Sequence, residues 1–167
     1  MSIEPFNELD NLGVAKHTGN NLMNNDFPKY KSLEKTVTFD GGTEDAIGDI
    51  DGDNNPLTLF SVTGLVEVSI FAVCSTNLAG SSATVEIGTA GSTAGLIAQT
   101  TATDIDAGEI WHDNSPDNDI EATSVIGRNL VYDDIILTAT TANVTAGVIK
   151  FVIRWSPITS DGNVVVA

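Results

Sequence analysis

Cysteine, histidine, basic residues and aromatics are all scarce in this chain, and each scarcity excludes something. One cysteine, Cys74, occurs in 167 residues. An intramolecular disulfide is impossible and a thiolate metal cluster is excluded, so folding in a reducing compartment is expected. Of the two histidines, His17 and His112, neither has a Ser or Cys nucleophile motif beside it. Lys and Arg number 7 against 23 Asp and Glu, a formal net charge of −16. Such a chain repels phosphate, so no nucleic acid is expected as a partner. Aromatics are only 6%, which leaves little for a sugar-stacking platform. There is no run of about 18 apolar residues, so no membrane-spanning helix and no membrane partner is expected. The opening MSIEPFNELDN is acidic and lacks the apolar centre of a Sec-type signal.

What is present falls into two parts with different rules. Residues 1–35 are Asn-rich and irregular and hold four of the seven basic residues, Lys16, Lys29, Lys31 and Lys35. From Thr36 onward, Thr, Val, Ala, Ile, Gly and Asp alternate in short runs broken by turn residues. There Arg128, Lys150 and Arg154 face 18 acidic residues, so this part carries −15 of the net −16. The reading is an N-terminal arm over 1–35 and a β domain over 36–167. In the arm, Pro5 suits the first position of a short helix, with Phe6, Leu9 and Leu12 at threefold spacing and Gly13 as its stop. So polar a segment adds little to a core, and its sparse apolar residues read as anchors for a partner surface, the competing reading being a stripe packed on the chain's own β domain. The candidate partner-binding residues are Phe6, Leu9, Leu12, Phe27 and Tyr30.

The β domain reads as eight or nine strands. Thr36–Phe39 and Leu57–Thr63 come first. Leu65–Ser75 is the longest, with Val66, Val68, Ile70, Ala72 and Cys74 on one face. Glu67 and Ser69 face away, while Phe71 and Val73 make its second half apolar on both sides, which suits a central strand. Ala83–Gly88 places Val85 and Ile87 inward with Thr84 and Glu86 outward. Gly95–Thr100, Glu109–His112, Asp119–Ile126, Leu130–Tyr132 and Ile135–Thr141 follow. Val148–Trp155 alternates best, with Ile149, Phe151, Ile153 and Trp155 on one face and Lys150 and Arg154 on the other. Turn signals recur about every 8–12 residues, and no helical period follows Leu12. The expected class is an all-β antiparallel sandwich, with a jelly roll as the favoured topology.

Candidate sites are few. Asp49-Ile50-Asp51-Gly52-Asp53-Asn54-Asn55 invites a Ca²⁺ reading, because alternating Asp can converge oxygen ligands. As an EF-hand loop it fails: Asn54 stands where the glycine belongs and Phe60 where the bidentate Glu belongs. The loop reads as an exposed acidic connection. His112 and Asp113 are neighbours, so in a strand their side chains point to opposite faces, and a rim histidine is expected. Cys74 reads as a small core hydrophobe. Trp155 belongs to an inward set and reads as core. No catalytic residue, cofactor or metal is expected, and the chain is read as not an enzyme.

Two stretches carry a family resemblance: LTLFSVTGLVEVSIFAVCST with SSATVEIGTAGSTAGLIAQTTAT, and the ending RWSPITSDGNVVVA. Their texture resembles tailed-bacteriophage virion proteins of the head, particularly capsid decoration (cement) proteins. The likeness is one of composition over most of the β domain, and no functional residue is carried over by it. It implies a structural role, a homo-oligomer, often a trimer, the major capsid protein of the shell as partner, and synthesis in the host bacterial cytoplasm before placement on the virion. A tail or head–tail connector component and a carbohydrate-binding sandwich are the competing expectations.

Overall fold

The computed structural model describes residues 30–167, and every strand in them belongs to one of two antiparallel sheets. In chain order the strands are β1 (Lys31–Phe39), β2 (Leu57–Thr63), β3 (Val66–Ala79), β4 (Thr84–Thr89), β5 (Ser92–Thr101), β6 (Glu109–Trp111), β7 (Asp117–Asn118), β8 (Asn129–Val131), β9 (Ile135–Thr140), β10 (Ala146–Pro157) and β11 (Asn163–Val166). One sheet runs β1-β10-β3-β6-β7, with β8 also paired to β3. The other runs β11-β2-β9-β4-β5. The expected antiparallel β-sandwich is the architecture found.

The inward faces are the ones the alternation marks. Val66, Val68, Ile70, Ala72 and Cys74 of β3 are buried, as are Ile149, Phe151, Ile153 and Trp155 of β10. They sit side by side because the register pairs Ile149 with Cys74, Phe151 with Ala72 and Ile153 with Ile70. From the other sheet Leu59, Phe60, Val85, Ile87, Ile97 and Ile135 close the core. Each such side chain, fully buried, contributes roughly 1.5–3 kcal/mol. Trp111 links the layers. Its ring meets Phe151 edge-on with centroids 6.2 Å apart, and its Nε1 donates to Thr100 Oγ1 of β5 at 2.9 Å.

Several boundaries differ from expectation. The first strand begins at Lys31, so residues 31–35 pair with β10 instead of standing in the arm. The reason is that period 2 runs back through Lys35 to Leu33, which packs on the core. Lys35 falls on the same face and keeps its ammonium solvated by carbonyls, donating to Thr58 O at 2.8 Å. The strand expected at Asp119–Ile126 does not form. Asp119 takes φ 62, which breaks an extended run, and Val125 N donates to Ala122 O in a turn. β11, unread in the sequence, pairs with the edge of β2. Glu86, expected outward, is buried beside Gln99, whose Nε2 donates to its Oε2 at 3.3 Å.

One irregularity positions everything that follows. β3 is long enough for two short partners on one edge: β8 pairs with Val66–Val68, and β6 pairs with Ala72 and Val73. Ser69, Ile70 and Phe71 have no ladder partner on that side. The chain between β6 and β8 must therefore leave the sheet and arch over this gap.

Candidate functional site

The arch makes a groove on the outer face of the β1-β10-β3 sheet. Its floor is Phe71 of β3, Val152 of β10 and Ile110 of β6, and its wall is Glu121, Thr123 and Ile126 of the arch. The volume there is about 360 Å³. A second compartment continues past Ser69 to Tyr30, Ser124, Arg128 and Arg154. Both arginines of the chain thus stand at one groove of a strongly acidic protein. Arg128 is already engaged. It lies 3.0 Å from Glu67 Oε1 and donates to the Tyr30 hydroxyl at 2.8 Å, which in turn donates to Glu67 at 2.7 Å. The Tyr30 hydroxyl and the Glu67 carboxylate hold the Arg128 guanidinium above its ordinary pKa.

At the other end of the groove three side chains converge. His112 follows β6 directly, and its side chain is 5% exposed. Its Nε2 lies 2.6 Å from Glu121 Oε2 and 3.8 Å from Asp117 Oδ2. The Asp117 carboxyl sits above its ordinary pKa because it hydrogen-bonds the Glu121 carboxyl. Glu121 sits below, held there by Asp117 and then by His112. His112 and Asp113 were expected on opposite faces. Asp113 lies beyond the end of β6, so alternation no longer applies, and its Oδ2 is 3.7 Å from His112 Nδ1. His112 is also less exposed than a rim residue.

The arch and the strand after it also carry unburied apolar side chains. Ile120 is 83% exposed, Val125 55%, Leu130 64% and Tyr132 79%; among the described residues, these are four of the eight exposed large hydrophobics. Leu130 and Tyr132 border a shallow hollow with Thr89 and Gly91 of the β4–β5 hairpin. Single exposed apolar residues need no explanation; here four fall within thirteen consecutive residues, 120–132.

Of the candidate anchors, Tyr30 stands at the groove mouth, 41% exposed. Phe6, Leu9, Leu12 and Phe27 lie outside the described residues, as do His17 and the short helix expected near Pro5. Trp111 and Trp155 are both buried, so neither presents a stacking face. Cys74 is buried, with its thiol donating toward Thr76 O at 3.2 Å, and burial pushes its pKa up. The acidic connection after β1 uses its carboxylates on its own backbone. Asp49 accepts from Asp45 N and Asp51 N, and Asp45 accepts from Asp53 N. These are turn-forming contacts of the kind Asp makes in loops. Compared with protein-family models, with curated proteins and with solved structures, the chain matches none significantly.

Proposed function

We propose that the protein is a non-enzymatic structural protein of a tailed-phage particle, a decoration protein that binds the head shell. The observation that carries this reading is the run of exposed apolar side chains from Ile120 to Tyr132, set on an acidic β-sandwich. The sandwich keeps copies soluble at high local density through its charge, and the apolar connection supplies the contact. The finer jelly-roll reading is supported by strand order. β1-β10-β3-β6 faces β2-β9-β4-β5, so consecutive strands alternate between the sheets except at the β4–β5 hairpin and within the β6–β8 arch. A trimer on the shell, with Phe6, Leu9, Leu12 and Phe27 reaching over neighbouring major-capsid subunits and Tyr30 held at the groove mouth, belongs to the same proposal. Many weak contacts repeated over a lattice stabilise it by avidity.

The test uses particles purified from the source that encodes this chain. Mass spectrometry and a low-resolution map should place the protein on the outer shell at fixed copy number. Ile120→Asp with Tyr132→Asp should leave stability within about 0.5 kcal/mol, because both sites are solvent-exposed, while occupancy on the shell falls at least about tenfold, or about 1.4 kcal/mol. Absence from particles, or full occupancy by the double variant, would sink the reading.

A further inference from the structure

We propose that His112, Asp117 and Glu121 form a site for one divalent transition-metal ion, with zinc the ion its donors suit, and that the bound ion fastens the arch over the groove. The site brings together one imidazole nitrogen and two carboxylate oxygens, all within 4.8 Å of one another. The three donors are placed by three different devices. His112 is held because Trp111, its neighbour, is anchored in the core. Asp117 is set by the β6–β7 ladder, which pairs it with Ile110. Glu121 stands in the groove wall, its Oε1 accepting from Ala122 N.

The geometry is close to what an ion needs. Zinc bound at about 2.0–2.2 Å in a tetrahedron sets its donors about 3.4 Å apart. The Nε2–Oε2 pair at 2.6 Å must open, and the Nε2–Oδ2 pair at 3.8 Å must close. Both moves are under about 1 Å and fall on side chains of a connection without long strands. The ion takes the place of the hydrogen bond between His112 Nε2 and Glu121 Oε2. The imidazole is nearly buried and aimed into the cluster, which sets this group apart from exposed acidic clusters. Its other nitrogen faces the Asp113 carboxylate at 3.7 Å, the side from which carboxylates orient metal-binding histidines. An imidazole with two carboxylates selects zinc and its neighbours over Ca²⁺ and Mg²⁺, which take oxygen ligands. Three protein donors leave a fourth position for water.

The consequence is mechanical. Among the described residues the arch has one short ladder to the sheet, the two-residue β7, and a side-chain tie from Arg128 to Glu67 at its far end. An ion would tie Glu121, in the groove wall, to His112 at the end of β6. The groove and the apolar residues Ile120 and Val125 would then keep one arrangement. The ion would fasten the arch whatever the exposed residues contact.

The test is titration of the full metal-free chain with Zn²⁺ in about 0.15 M salt, where diffuse attraction to the acidic surface is screened. Calorimetry should show one ion per chain, and Co²⁺ in its place should give visible absorption from a nitrogen–oxygen ligand set. Amide exchange should slow over 113–126 and not elsewhere. His112→Gln and Glu121→Gln should each weaken uptake at least about 100-fold, more than loss of an outer hydrogen-bond partner does. Asp51→Asn in the acidic loop and His17→Gln should leave it unchanged. Should His112→Gln fail to fold, Glu121→Gln decides alone, since Glu121 lies on the arch outside every strand and Gln keeps its size. No stoichiometric uptake, uptake that survives Glu121→Gln, loss through His17→Gln, or Ca²⁺ outcompeting Zn²⁺ would each overturn the assignment.

Discussion

Phe151→Ala tests the packing on which the site stands. Phe151 is fully buried at the centre of β10, between Lys35 of β1 and Ala72 of β3 in the register. Removing the ring loses its transfer free energy and leaves a hole beside β3 and β10, which move little because they pair with each other along their length. Such changes cost about 3–5 kcal/mol. The lost edge contact with Trp111, worth about 0.5–1.5 kcal/mol, places this one in the upper half, near 4 kcal/mol. Trp111 and Trp155 are both buried and report unfolding by fluorescence. With a urea m-value of about 2 kcal/mol/M, the midpoint should fall by about 2 M. The melting temperature should fall by about 12 °C for a domain of this size. Phe151→Leu, which keeps most of the volume, should cost about 1–1.5 kcal/mol and serves if the alanine variant does not fold. A loss under about 1 kcal/mol for the alanine variant, with m unchanged, would mean that Phe151 is not in the core and that the β10 register is wrong.

Asn55→Ala should cost about 2–3 kcal/mol by denaturant unfolding, because Asn55 both donates to Ala139 O and accepts from Ala139 N, tying the acidic connection to β9 and leaving two buried backbone groups exposed to loss; a change within about 0.5 kcal/mol would refute that tie. Cys74 should resist thiol reagents at pH 7–8 in the native protein and react fully in denaturant, since burial and a raised pKa both suppress the thiolate. Rapid native labelling would show that β3 opens locally.

The strands that a reader could find are those with two-sided information. β3 and β10 alternate over many residues, and their inward sets Val66–Cys74 and Ile149–Trp155 are buried as the period requires. Alternation over only a few residues does not specify a strand. Asp119–Ile126 has apolar residues at plausible spacing, yet Asp119 turns the chain away at its start and Val125 N closes a turn on Ala122 O. The start of β1 was hidden for the opposite reason. Lys31 and Lys35 look like arm residues by composition, but Lys31 lies over the Trp155 ring at 4.4 Å and Lys35 reaches a carbonyl of β2, so each long side chain satisfies its charge from within a strand.

The metal cluster was illegible for a related reason, and the same feature of the fold accounts for both. His112, Asp113, Asp117 and Glu121 have no ligand spacing that belongs to a known loop, and a strand reading of His112-Asp113 sends the two side chains apart. The separation holds only while the strand continues, and β6 ends at Trp111, three residues of β3 short of where β8 takes the edge. A chain forced off the sheet there must turn through Asp113–Ser115, return as β7 and arch outward again. Those reversals bring Asp117 and Glu121 back to the imidazole that the core holds still. The arch that exposes Ile120 and Val125 is therefore the arch that gathers the ligands. The proposed ion site and the exposed apolar residues of the arch both follow from one unpaired stretch, Ser69–Phe71, on the edge of β3.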